Sequence, residues 1–283
     1  MVGIIDIGSN TIRLVMYDKG NKISNTAVTS EILHDTVDGH LTNEGTQKLC
    51  EVVDYLKNEA GDNPVYAFAT FAFRVLENSE EVKQTVFQKT GVNIDVLSGK
   101  DEAIYDYYAL KNELKNLENG VGVDLGGGSA QIVAINNNIL SFFDSFPIGA
   151  KKIKKIFVND VFPTNEEENN LREYIRKYLR KCDVKSDKLY MMGGTAKTAL
   201  RMYRYIKGPQ NISYIETETL SSIIDFIKEA PDEIIKNVLR SRYDNIVCGI
   251  IAIEEIANYI GAKKIYVLSG GVREGYLIKN EMI

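Results

Sequence analysis

Residues 2–18, VGIIDIGSNTIRLVMYD, run as an apolar stretch to Asp6, turn through glycine and polar residues, and return as a second apolar stretch. Residues 121–135, VGVDLGGGSAQIVAI, do the same. Aligning Asp6 with Asp124 sets the two copies 118 residues apart (124 − 6) and pairs Gly8 with Gly126. Each copy predicts a β-hairpin closed by a Gly/Ser/Asn turn. The domain-length interval predicts two similar subdomains, each opening with such a hairpin. Elsewhere strand and helix patterns alternate. Short apolar runs predict strands over Val65–Thr70, Val92–Leu97, Lys188–Met192 and Lys264–Leu268. Longer periodic segments predict helices over Asn78–Thr90, Lys100–Leu117, Asn165–Lys181, Thr219–Ala230, Tyr243–Ile260 and Arg273–Lys279. The class is α/β. The polar tail LKNELKNLENG, ending at Gly120, is the connection between halves at residues 1–117 and 118–283.

Composition narrows the chemistry. At 283 residues, 44% hydrophobic and 26% charged, the chain has material for two cores, which excludes wholesale disorder. A net charge of −5 argues against a basic nucleic-acid binder, and no DNA partner is expected. The longest apolar run, Ile246 to Ile253, stops at Glu254 and Glu255, and Asp6 interrupts the N-terminal run; neither a membrane span nor a signal peptide is expected. Cys50, Cys182 and Cys248 are odd in number and far apart, and read as reduced thiols of a cytoplasmic protein. Two histidines, His34 and His40, leave little for a histidine metal site or a catalytic triad.

Four segments bring glycine to the end of an apolar strand: DIGSNT (Asp6–Thr11), DLGGGS (Asp124–Ser129), MGGTAK (Met192–Lys197) and LSGGVREG (Leu268–Gly275). Glycine lets backbone N–H groups approach an oxyanion, consecutive amides form an anion-binding nest, and a following helix N-terminus favours phosphate. Ser9, Asn10, Thr11 and Ser129 add side-chain donors; Gly126, Gly127, Gly128, Gly194 and Thr195 add backbone. A carboxylate beside phosphate oxygens is repulsive unless a divalent cation lies between them. The repeated pairing of Asp6 or Asp124 with a glycine turn therefore implies phosphate with Mg²⁺.

The duplicated DxG hairpins resemble the acetate kinase, sugar kinase, chaperone ATPase and actin superfamily, built from two ribonuclease-H-like halves around a phosphate cleft. More closely, the chain resembles the exopolyphosphatase and guanosine pentaphosphate phosphohydrolase family. The matching stretches are DIGSNTIRLVMYD, ATFAFRV, LSGKDEA, VDLGGGSAQIV, SFPIGAKKI, MGGTAKTAL and IYVLSGGVREGYL, in order along the chain. The resemblance implies a hydrolase that releases terminal orthophosphate from inorganic polyphosphate or guanosine pentaphosphate, and a homodimer. It implies that Glu102 activates the attacking water, Arg74 binds phosphate, and Asp124, with Asp6 a weaker candidate, holds the metal. Lys197 would offer charge to a distal phosphate.

Departures from the family pattern bear on rate and substrate. Ala130 and Gln131 stand where the family usually has Thr and Glu, and Phe71 where a small hydroxyl is common. Residues Glu31–Gly39 lack a typical Arg. These motivate one alternative, a catalytically weak or inactive regulator that binds polyphosphate or guanosine tetraphosphate. A small-molecule kinase or ATPase, with LSGGVREG in an adenosine pocket, is another. Arg172, Arg176 and Arg180 recur at i, i+4 and i+8 beside Lys151, Lys152, Lys154 and Lys155, so a polyanion track is weighed against a solvated amphipathic helix; the interspersed Glu166, Glu167, Glu168 and Glu173 favour the latter.

Overall fold

The computed structural model describes residues 1–9, 11–30, 32, 34–208, 212–239 and 242–283, without the side chains of Asp232 and Ile234. Asn10, and Glu31 within the stretch lacking the family arginine, lie outside the described residues. By packing, the chain forms two units: Met1–Glu102 with Tyr276–Ile283, and Ala103–Gly275. The two sheets divide after Val96 and before Gly120.

In the first unit β1 (Val2–Ile7), β2 (Thr11–Asp18) and β3 (Asn21–Thr29) form an antiparallel meander with Asp6 opposite Arg13. A small β4–β5 pair (Thr36–Val37, His40–Leu41) leads to α1 (Asn43–Glu59), which starts where the Thr42 hydroxyl accepts from the Gly45 amide at 3.0 Å. Then come β6 (Val65–Ala69), α2 (Phe71–Arg74), α3 (Ser79–Thr90) and β7 (Ile94–Val96). The sheet order is β3-β2-β1-β6-β7, with β1, β6 and β7 parallel. β1 is buried along nearly its whole length, as a strand covered on both faces requires, whereas β3 is an exposed edge. Ile5, Ile7, Leu49, Val53, Phe73 and Val86 belong to this unit's core.

Helix α4 (Gly99–Glu113) follows, and the pattern repeats. β8 (Gly120–Leu125), β9 (Ala130–Asn136) and β10 (Ile139–Phe146) form the second meander, with Asp124 opposite Gln131. The remaining elements are α5 (Ala150–Phe157), α6 (Asn165–Leu179), β11 (Lys188–Met192), α7 (Gly193–Lys207), β12 (Tyr214–Glu216), α8 (Leu220–Glu229), α9 (Asp232–Leu239), α10 (Ile246–Ile260), β13 (Lys264–Val267) and α11 (Val272–Lys279). The sheet order is β10-β9-β8-β11-β13-β12, with β8, β11 and β13 parallel. The larger core joins this sheet to α5–α10; Ala103, Ala109 and Leu110 of α4 belong to a smaller cluster with Val133 and Leu268. That packing is why most of α4 goes with the second unit.

The internal repeat extends to single hydrogen bonds. The Gly8 amide donates to the Thr11 carbonyl at 3.1 Å and the Gly126 amide to the Ser129 carbonyl at 3.0 Å, closing the two hairpins in the same way.

Candidate active site

In the second unit the parallel strands β8, β11 and β13 lie side by side, and each runs into a glycine-containing turn. In open α/β sheets that carboxyl edge is where ligands bind. Asp124 lies at the end of β8. A Cβ at Gly193, whose φ is +88°, would stand 2.4 Å from its Oδ1, and one at Gly271 would stand 3.4 Å from its Oδ2. The carboxylate is thus framed by two glycine turns.

The DLGGGS turn is oriented from behind by α5. The amides of Ala150, Lys151 and Lys152 donate to the carbonyls of Gly126 and Gly127, all at 3.0 Å. A trans peptide sets its N–H opposite its C=O, so the Gly127 and Gly128 amides are turned away from α5. Among the described residues neither amide makes a hydrogen bond to protein. Two such outward amides suit an anion. Gly149 makes the close approach feasible: a Cβ there would lie 2.4 Å from both the Gly128 carbonyl carbon and the Ser129 nitrogen. Ser129 is buried, and its hydroxyl accepts from Gln131 Nε2 at 2.9 Å, which leaves the hydroxyl hydrogen to donate elsewhere.

Two cations stand beside these turns. The Lys151 stem lies along Gly127, with Cδ 3.5 Å from where a Cβ would be. The Arg242 guanidinium lies across Gly194, and its Nη1 is 3.4 Å from the Thr195 hydroxyl. Local desolvation first and the Arg242 charge second lower the Lys151 pKa, with Asp244 opposing. Lys197 is committed nearby: its ammonium donates to the Ser269 carbonyl at 2.8 Å.

In the first unit the expected base and phosphate ligand are paired. Arg74 Nη1 donates to Glu102 Oε2 at 2.5 Å and to the Leu97 carbonyl at 2.7 Å. Glu102 is buried, and helix capping falls to its neighbour: the Ser98 amide donates to Asp101 Oδ2, and the Asp101 amide to the Ser98 hydroxyl. The two adjacent acids therefore divide two tasks. Phe71 places its ring 5.9 Å from the Arg74 guanidinium carbon, within cation–π range. Asp6 is the penultimate residue of β1, while Ser9 and Thr11 flank the first hairpin turn; Asp6 and the second-unit Asp124 occupy equivalent positions in their sheets.

The sequence model of the Ppx/GppA phosphatase family matches residues 26–282. This chain belongs to that family. Exopolyphosphatase 1 of Mycobacterium tuberculosis (strain ATCC 25618 / H37Rv) is 26% identical over 300 residues, covering 98% of this chain and 87% of that protein. The crystal structure of the Aquifex aeolicus Ppx/GppA family member superposes with a TM-score of 0.84 at 26% identity, covering 99% of this chain and 97% of that one. An exopolyphosphatase from Cytophaga hutchinsonii, 18% identical, has the same fold at a TM-score of 0.83, covering 99% of this chain and 98% of that one. The two sheets are those of the actin-like ATPase fold that these Ppx/GppA structures share.

Several features of this Ppx/GppA phosphatase were not visible in the sequence. Arg242 reaches Thr195 across 47 residues, and no motif flagged it. Glu113, at the end of α4, accepts from the Ser269 amide at 2.9 and 3.1 Å and from the Gly270 amide at 2.9 Å. That carboxylate fills the turn considered for an adenosine pocket. Gln131 is buried between the Ser129 and Ser145 hydroxyls, donating to Ser145 at 3.0 Å. Arg172 and Arg176 are held by carboxylates: Arg172 pairs with Glu168, Glu254 and Glu255, and Arg176 with Glu255. They anchor α6 to α10 and do not form a track. Burial pushes the Cys182 and Cys248 thiols up to about 12, so neither is a thiolate nucleophile at neutral pH. No helix among the described residues is long and apolar enough to cross a membrane.

For a metal, the donor set is decisive. Among the described residues there is no group of three or more His, Cys, Asp or Glu side chains placed to hold a metal ion. A protein cage is excluded there, but Mg²⁺ is commonly bound through one or two carboxylates together with substrate phosphate oxygens. Asp124, framed by glycine and beside the outward amides, suits that mode.

Proposed function

We propose that this chain hydrolyses phosphoanhydrides, releasing terminal orthophosphate from inorganic polyphosphate by attack of water; guanosine pentaphosphate offers the same terminal chemistry. The observation that carries the reading is the edge where Asp124, the outward amides of Gly127 and Gly128, and the cations Lys151 and Arg242 meet. It is suited to a multiply charged phosphoryl chain and has no histidine or thiolate for covalent catalysis. Exopolyphosphatase 1, the relative named above, supports the same substrate class.

Each group then has a task. The outward amides and the two cations bind phosphoryl oxygens and neutralise charge that grows in the transition state. Glu102 takes a proton from the attacking water; its carboxylate is fixed by Arg74, whose Nε and Nη2 remain for a phosphoryl oxygen. Asp124 would hold Mg²⁺ brought with the substrate, and the ion would supply charge screening between phosphoryl groups. We take the protein to be cytoplasmic and the homodimer to be its assembly.

The kinase reading loses support because Glu113 already occupies the Ser269 and Gly270 amides. The regulator reading rests on Gln131 and Phe71. Orthophosphate release from polyphosphate, with Mg²⁺ and after chelation, separates the cases. We expect Mg²⁺-dependent turnover and a fall in kcat of about 100-fold or more in Glu102→Gln with KM little changed. Binding without turnover in either protein would instead establish the regulator.

A further inference from the structure

The edge of a sheet is a row of unpaired backbone N–H and C=O groups, and proteins blunt it with short strands, bulges, charges or proline. Among the described residues, three of the four edges of the two large sheets follow that rule. β7 and β12 are three residues long, and β10 is broken by a bulge between Leu140 and Phe142 and carries Asp144. β3 does not follow it. This strand runs for nine residues, NKISNTAVT, without proline, and its one charged residue, Lys22, lies beside the bulge at its start. From Ser24 to Thr29 it is uncharged and pairs with β2 in unbroken register.

The first hairpin fixes which groups of β3 face outward. Gly8 donates to Thr11, the pair next to Ile7 and Ile12, so Gly8 and Thr11 are a hydrogen-bonded pair, and bonding alternates from there along β2. Thr11, Arg13 and Val15 therefore bond to β1, whereas Ile12, Leu14 and Met16 bond to Val28, Thr26 and Ser24 of β3. The N–H and C=O groups of Asn25, Ala27 and Thr29 point away from the sheet, and all three residues are exposed. Among the described residues no other backbone group bonds to this edge.

A strand added there could come from a peptide or from a second copy of the chain. Strand addition reads a peptide through pockets for alternate side chains. Ser24, Asn25, Thr26 and Ala27 are too small to wall a pocket, and the Asn25 side chain already accepts from Arg13 Nη1 at 2.9 Å. What remains is main-chain complementarity, which an antiparallel copy of the same strand supplies by symmetry. With a two-fold axis at Thr26, Asn25 of one copy faces Ala27 of the other, and both outward groups of each are paired. Charge permits this: the two Lys22 residues then lie eight positions apart along the strands, about 27 Å at 3.4 Å per residue. We propose that β3 is the interface of the homodimer, two copies pairing antiparallel along Ser24–Val28 so that two five-stranded sheets become one. The proposal rests on the homodimer taken above and adds where its copies meet.

The test is sedimentation equilibrium of the full chain, with hydrogen exchange followed in the segment Ser24–Thr29. A dimer is expected at micromolar concentration, with exchange of that segment slowing as concentration rises into the dimer range. Ala27→Pro removes an outward N–H and no bond to β2. Ala27→Lys places like charges near the axis and spares the backbone, in case proline disturbs the fold. Each should raise the dimer dissociation constant about tenfold or more, because the two-fold axis doubles every loss. A chain that stays monomeric up to about 100 μM overturns the proposal together with the homodimer. A dimer that withstands both variants, or whose Ser24–Thr29 exchange is independent of concentration, overturns the proposal alone. Phosphate release from polyphosphate is measured separately; a dimer that both variants dissociate but that shows no turnover refutes only the hydrolase reading.

Discussion

Gly149 decides whether α5 can close on the GGG turn. Its φ of −65° is open to any residue, so the requirement for glycine is steric: a methyl group would meet two backbone atoms of the GGG turn at 2.4 Å. Backbone cannot swing aside as a side chain can. Gly149→Ala should therefore push α5 off the turn, lower stability by about 1–3 kcal/mol and weaken phosphate binding. Gly127→Ala, whose Cβ would meet only the flexible Lys151 stem at 3.5–3.9 Å, should fold with near-normal stability. Thermal melts of the two variants check the contrast; equal destabilisation would sink it. At this scale the glycine and carboxylate residues were legible because their chemistry is local: a strand, an acid, then a turn. Arg242 and Glu113 were not. Their partners lie 47 and 156 residues away in sequence, and an arginine or glutamate carries no local mark of such a destination.

Among the elements, six helices and the strands with apolar runs were readable, with ends shifted by a few residues (Lys100–Leu117 became Gly99–Glu113), whereas α1, despite its buried Leu49, Val53 and Leu56, was not, nor were α5 and α9. The edge strands β3 and β10 were missed. β3 is exposed at nearly every position and so has no alternation to detect. The periodicity of arginines on α6 was real, but its meaning lay on α10. Glu168 shows how that contact couples to pH. Burial alone would raise its pKa, but hydrogen bonds from Lys228 and Arg172 outweigh burial and lower it. A carboxylate whose folded pKa is depressed contributes stability above its unfolded pKa, about 4.3, and loses it as pH falls through the folded value. Glu168→Gln should thus be less stable than the parent at neutral pH, with the gap closing below about pH 4. Denaturant titrations across that range measure it, and a gap constant with pH would exclude the ion pairs as its cause.

For the whole molecule, the 118-residue repeat made the two-sheet architecture legible, since a hairpin that recurs at domain spacing calls for a second sheet to hold it. The net charge of −5 posed a harder question, because a polyanion must approach an acidic protein. The structure answers it locally, with Lys151 and Arg242 beside the glycine turns and the arginines of α6 already neutralised by carboxylates. Salt then acts on two distances. At about 0.01 M ionic strength the Debye length is about 30 Å, so distant acidic groups repel the incoming chain; at about 0.15 M it is about 8 Å, and chiefly the contact cations are felt. We therefore expect kcat/KM for polyphosphate, at fixed Mg²⁺, to rise several-fold between those salt concentrations. Toward about 1 M, where the Debye length is about 3 Å, it should fall as the contacts themselves are screened. A basic polyanion binder would instead lose activity from the lowest salt onward. A monotonic fall here would mean that the field reaching the substrate is positive over the whole approach, and that the local pair is not what overcomes the acidic surface.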